Sequence, residues 1–327
     1  MILLDTGRPG DVWAVAFHAD GKHVLGGNDT SIRRWRLADG QEVAKQTGMN
    51  LNSICVSRDD KWIVCGTSEG AGVWDGELRK EIIHVEGENV VYAVDVSPDS
   101  TRFATGNHTN EANIWSITTG RRLVGSLELD DLVTGVRFSP SGEHVAAACY
   151  SAIKIFDSHT GDILVKIDAD QPQRGATTPI AWSGDGQQII AASRGGKIRM
   201  FDASTGTQRA ESQSLYNGIP SIALATNGKF IAILAPARSV SFLDTSTLAR
   251  VGPVIEGDER IWSVAISLDN TRLATGRYDG QIIIRDLREI LPELFGPVNV
   301  SILPCPVSSP TLTTYLLTNR LNETRSL

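Results

Sequence analysis

The residues of this 327-residue chain best equipped for chemistry are its six histidines and four cysteines. His18, His23, His84, His108, His144 and His159 form no metal-ligand pattern and fall in turns and strands of different repeats, so they read as solvated surface. Cys55, Cys65, Cys149 and Cys305 contain no Cys-x-x-Cys pair and read as reduced thiols, mostly within strands. No Gly-x-Ser-x-Gly turn is present to expose a nucleophile. Gly21-Lys22, Gly196-Lys197 and Gly228-Lys229 lack the upstream glycine of a phosphate-cradling loop, because Ala16, Ala191 and Ala223 stand there. They read as hairpin turns. The expectation is a protein that is not an enzyme and holds neither a metal nor a small-molecule cofactor, which leaves surface recognition.

The elements that would present such a surface follow from composition and pattern. A chain that is 41% hydrophobic and 21% charged can bury a core and is not disordered over most of its length. Its net charge of −7 argues against a phosphate-neutralising nucleic-acid surface and favours protein partners. The longest apolar stretch, Ile219 to Ala237, is broken by Asn227 and Lys229 and does not span a membrane. Met1 to Asp11 includes Asp5 and Arg8 and no apolar signal core, so an intracellular, cytoplasmic address is expected.

One pattern recurs seven times: alternating apolar residues, a four-residue polar turn, and a second apolar run. The turns begin at His18, Ser57, Ser97, Ser139, Ser183, Ala225 and Ser267. A third strand then ends near Trp35, Trp74, Trp115, Phe156, Phe201, Leu243 and Arg285, giving a period of roughly 42 residues. Four antiparallel strands of this size cannot bury both faces alone, so neighbouring sheets must stack, and a closed ring removes the exposed ends. The seventh copy runs out at Asp286-Leu287 without a fourth strand, whereas Ile2-Leu3-Leu4 precedes the first copy and can supply it.

These seven registered copies resemble the WD-repeat family, whose fold is an all-β, seven-bladed β-propeller. Val12 to Phe17 and Gly276 to Ile282 lie nearest its consensus, although only Trp74-Asp75 keeps the Trp-Asp pair itself. Residues 1–287 are assigned to the propeller, and residues 288–327 to a short helical turn followed by a disordered tail. In the family a buried network joins a third-strand Trp, a second-strand Ser or Thr, a turn Asp and a His. Here no copy is complete; Ala146, Ala191 and Ile233 replace the hydroxyl, which implies a packed interior in place of a hydrogen-bonded one.

The resemblance implies an interaction scaffold or ligand-sensing propeller whose loops carry specificity. There is a weaker resemblance to the repeat arrays of fungal nucleotide-binding self-recognition proteins. A substrate adaptor of a cullin-type ubiquitin ligase is the alternative, resting on Arg285-Asp286-Leu287-Arg288 against a signature that ends Trp-Asp-x-Arg. A propeller enzyme is the third.

Strand-start positions on the face of the blade-to-blade loops are Trp13, Asn52, Tyr92, Thr134, Thr178, Pro220 and Trp262. Ring closure would set Trp262 beside Trp13, and Tyr278 in the consensus-like stretch joins the set. The loops nearby carry Glu86, Glu88, Asp130, Asp131, Asp258 and Glu259 among ten carboxylates, against few bases, chiefly Arg8, Arg174 and Arg260. A basic protein segment is the expected ligand. Strict alternation competes with this placement, since it puts Trp13 with Val15 and Phe17 between blades, whereas a bulge at the strand start turns it outward.

Overall fold

Each of the seven polar turns closes in the same way. The amide of its fourth residue donates to the carbonyl of its first, as from Gly21 to His18, Asp60 to Ser57 and Asn270 to Ser267, at 2.8–3.1 Å. That fourth residue has a positive φ in every copy: Gly21, Asp60, Ser100, Gly142, Gly186, Gly228 and Asn270, between 59° and 79°. A tight turn followed by a left-handed residue matches the twist of the two flanking strands, which is why the pattern folds as a hairpin wherever it recurs.

The computed structural model describes residues 1–7, 10–85, 90–168, 179–193, 195–215, 219, 221–235 and 238–295. Twenty-eight strands form seven four-stranded antiparallel sheets among these residues. Blade one is β2–β5 (Ala14–Phe17, His23–Gly27, Ser31–Arg36, Glu42–Thr47), and blades two to six, β6–β25, lie within residues 51–256. Blade seven is β26–β28 (Ile261–Ile266, Arg272–Arg277, Gln281–Asp286), completed by β1 (Ile2–Asp5) from the other end of the chain. Ile2 pairs with Ile284 and Leu4 with Ile282, so the ring is a seven-bladed propeller locked by its N-terminal strand.

The core lies between blades. Seven buried clusters each draw on two neighbours; the one between blades seven and one contains Leu4, Val12, Val24, Trp35, Ile282 and Ile284. At that seam Gly276 is required: a Cβ there would stand 2.8 Å from the Val12 carbonyl oxygen. Ala146 and Ala191 pack between blades four and five and Ile233 between five and six. In blade seven Arg285 takes the place of the third-strand Trp and donates to Thr275 Oγ1 at 3.3 Å, much as Trp115 Nε1 donates to Thr105 Oγ1 at 3.0 Å.

After blade seven come two short helices, α1 (Leu287–Ile290), capped by Asp286, and α2 (Pro292–Phe295), opened by a proline. Leu287 and Leu291 join the core of blades six and seven. The expected tail, residues 296–327, lies outside the described residues. No helix among the described residues is long and apolar enough to cross a membrane.

Candidate protein-binding face

The inner strands begin irregularly, and the irregularity decides where their first side chains go. Asn52, Tyr92 and Trp262 are each skipped by the ladder between neighbours that pair normally, so each sits in a bulge. Trp13 and Thr134 stand one residue before the ladder and donate their amides to the carbonyls of Gly27 and Ala148 at 3.0 and 2.9 Å. Trp13 and Trp262 are therefore half-buried at the rim and belong to no inter-blade cluster; strict alternation would have buried Trp13 with Val15.

The two indoles meet across the seam with ring centroids 4.8 Å apart and planes inclined by 40°. The Trp13 N–H donates to Asp29 in the turn between the second and third strands of blade one. The guanidinium of Arg260 lies 5.0 Å above the Trp262 ring, a cation–π contact, and the Trp262 N–H is buried facing Asp11. Burial raises the pKa of Asp11 above the usual carboxylate range; the charge of Asp29 adds to this, and the Trp262 indole and Arg260 oppose it. Tyr278 is 54% exposed, and its amide donates to the carbonyl of Arg260 at 2.8 Å.

Asn52 and Tyr92 lie farther along the rim, and with Trp13 and Thr134 they line a cavity of about 120 Å³ at the upper end of the central channel. Asn52 is committed to the fold: its amide donates to the carbonyl of Val91 at 3.1 Å and ties blade two to blade three. Thr178 and Pro220, and Glu86, Glu88, Arg8 and Arg174 among the charged positions, lie outside the described residues.

The acidic loops are less bare than a count of loop residues suggests. Asp130 is gripped by Lys154 at 3.1 Å and Lys166 at 3.2 Å, and these hydrogen bonds hold its pKa below the usual range. Asp258 pairs with Arg277 at 3.1 Å, and Asp131 accepts the amide of Leu132 at 2.7 Å. The three cations come from strands, which is why a reading of the loops alone misses them. Glu259 makes no such contact among the described residues.

The histidines depart from the solvated-surface expectation at one position. His18 is fully buried and faces Asp60 of the next blade at 3.2 Å, and the same carboxylate accepts the amides of Ala19 and Asp20. No metal-binding cluster of three such ligands occurs among the described residues. Desolvation, with the charge of Asp95 adding to it, pushes the thiol of half-buried Cys55 up to about 12. In the adaptor-like stretch, Asp286 caps α1 and Arg288 closes back on it, so each occupies the other.

With the geometry in hand, comparison with known proteins is informative. The family model described as "WD domain, G-beta repeat" matches residues 3–36, 76–116, 121–157 and 251–286. Each match begins on or just before the outer strand of one blade and ends on the third strand of the next, so sequence repeat and blade are offset by one strand. That offset is what leaves β1 free to close blade seven. Curated relatives include the cross-pathway control WD-repeat protein 2 of Flammulina velutipes, 27% identical over 44% of this chain and 47% of its own length. The small ribosomal subunit protein RACK1 of Caenorhabditis elegans is 29% identical over 45% of this chain and 48% of its own. Subunit I of eukaryotic translation initiation factor 3 from Aspergillus terreus is 27% identical over 59% of each. The chain spans about half the length of the curated relatives it matches.

Proposed function

Because the chain belongs to the WD-repeat β-propeller family, we propose that it is a non-catalytic protein-interaction scaffold that binds basic protein segments on the Trp13–Trp262 face. The observation that carries this reading is Arg260 lying on the Trp262 ring, because it marks a cation seat that a partner's Lys or Arg can take over. The paired indoles then supply the apolar contact typical of a binding hot spot. Two relatives bear names that set them within larger assemblies, which supports a binding role. Since Asp130 and Asp258 are already paired, the attraction rests on Asp11, Asp29 and Glu259 around the indoles.

The test is binding kinetics with a basic partner recovered by affinity purification. Raising salt is expected to slow association, as screening sets in beyond about 8–10 Å. Trp262→Ala or Trp13→Ala is expected to speed dissociation, costing about 1–3 kcal/mol of affinity. Salt-independent association together with normal dissociation in both variants would exclude this face.

A further inference from the structure

The central channel carries charge that the loop face does not use. Two residues before each of the seven turns, the inner strands present Ala16, Cys55, Asp95, Arg137, Ala181, Ala223 and Ala265. Five of these are small, which opens the channel; blades three and four alone bring charge to it. Toward the face of the seven turns the channel widens to a cavity of about 400 Å³. Its walls include Phe17, Phe138, Trp182 and Leu224, with Arg137 inside and Arg58 near the turns.

The polar groups of this cavity are unevenly satisfied. Asp95 accepts the amide of Phe138 at 2.7 Å through one oxygen and faces the Cys55 thiol at 3.5 Å through the other. Burial raises its pKa, and the charge of Arg137 opposes this by favouring its ionised form. The Trp182 indole donates to the Arg137 carbonyl at 3.0 Å, while its ring packs in the core between blades four and five. Arg137 itself uses only Nη1, which donates to the carbonyls of Val136 at 2.8 Å and Val94 at 3.3 Å. Among the described residues it makes no ion pair, and its Nε and Nη2 have no partner. That edge of a guanidinium grips a carboxylate with two parallel hydrogen bonds. Arg58 is exposed and likewise forms no ion pair among the described residues.

A cavity of this size on which a few polar groups converge is of the size small-molecule sites have. We propose that the lower channel binds a small monocarboxylate with an apolar body, its carboxylate on Arg137, its body against the half-buried Phe17, Leu224 and Ile266, and Arg58 guarding the mouth. Asp95 offsets one of the two guanidiniums, so the site retains a net single positive charge and suits a monoanion. Arg137 also lines the smaller cavity below Trp13, so Trp262→Ala separates this site from the indole face.

The experiment uses the purified full chain and three probes: phenylacetate, its neutral isostere phenylacetamide, and inorganic phosphate. Binding is followed by calorimetry and by the Trp182 indole N–H resonance, assigned through Trp182→Phe. Phenylacetate is expected to bind saturably and shift that resonance, with the amide and phosphate each about tenfold weaker or worse. Arg58→Gln, which removes no contact of the fold, should weaken phenylacetate about three- to tenfold, and Ala223→Phe should abolish binding by filling the channel. Thermal unfolding of both variants confirms that they fold, and Trp262→Ala should bind phenylacetate normally. Equal binding of acid and amide, phosphate binding as tightly as phenylacetate, shifts at the Trp13 and Trp262 indoles with none at Trp182, or no saturation by about 10 mM would each overturn the proposal.

Discussion

Between blades three and four, and at the seam of blades seven and one, the same packing problem is met by different means. In the first, Val136, Phe138, Val145, Ala147 and Phe156 interlock in an apolar cluster that is buried throughout. At the seam the cluster is smaller, and above it stand two half-buried indoles and a stacked guanidinium. Two large rings left half in solvent forgo part of the burial that stability alone would favour. Within blade seven, β1 and β28 come from opposite ends of the chain and hold by contact alone, whereas β1 runs on directly into blade one.

Removing Met1 to Asp5 attacks the seam most directly, because it strips the outer strand from blade seven and empties the site of Leu4, which is 1% exposed. The loss should exceed that of Leu4→Ala alone, about 2–5 kcal/mol, and lower the melting transition followed by circular dichroism. An unaltered transition would refute the lock. Phe156→Ala tests the other interface: a cost of about 3–5 kcal/mol in urea unfolding is expected, with unchanged binding on the indole face. A loss below about 1 kcal/mol would mean that this interface is not close-packed.

A smaller effect separates hydrogen-bonded from packed blades. Trp115→Phe keeps most of the ring but drops the bond to Thr105, and should cost about 0.5–1.5 kcal/mol in the same assay. Equal stability would show that the bond contributes nothing net.

The smallest effect is pH-dependent. Burial first, and Arg34 next, hold the His18 pKa below its ordinary value near 6.5, against the pull of Asp60. The unfolded chain therefore takes up a proton at His18 before the folded chain does, and this contribution, fully present above about pH 6.5, declines as pH falls below it. Denaturation midpoints at about pH 7.5 and 5.5 should differ less in His18→Asn than in the parent protein. An identical difference would assign the effect to other groups.

The hairpins were legible because each depends on residues within one copy: a four-residue turn, a left-handed fourth position and apolar alternation on either side. Ring closure was legible too, since a missing strand at one end and a spare strand at the other leave one way to complete seven sheets. The seating of side chains across blades was not. Trp13 could be placed inward or outward by the same alternation, and the choice fell to the irregular starts of the inner strands, which alternation does not specify. Loop carboxylates such as Asp130 and Asp258 looked unopposed because Lys154, Lys166 and Arg277 approach from strands of the sheet.

By itself, then, the sequence determined the seven strand–turn–strand units, their antiparallel pairing and the order in which they close, all of which follow from local turn chemistry and a period of roughly 42 residues. Tertiary structure alone decided that His18 is buried against Asp60, that Arg285 hydrogen-bonds Thr275, and that Arg137 faces the channel with one edge unpaired. The reason is physical: these contacts join neighbouring strands or residues about one repeat apart, and only the stacking of the ring fixes their distance, burial and charge.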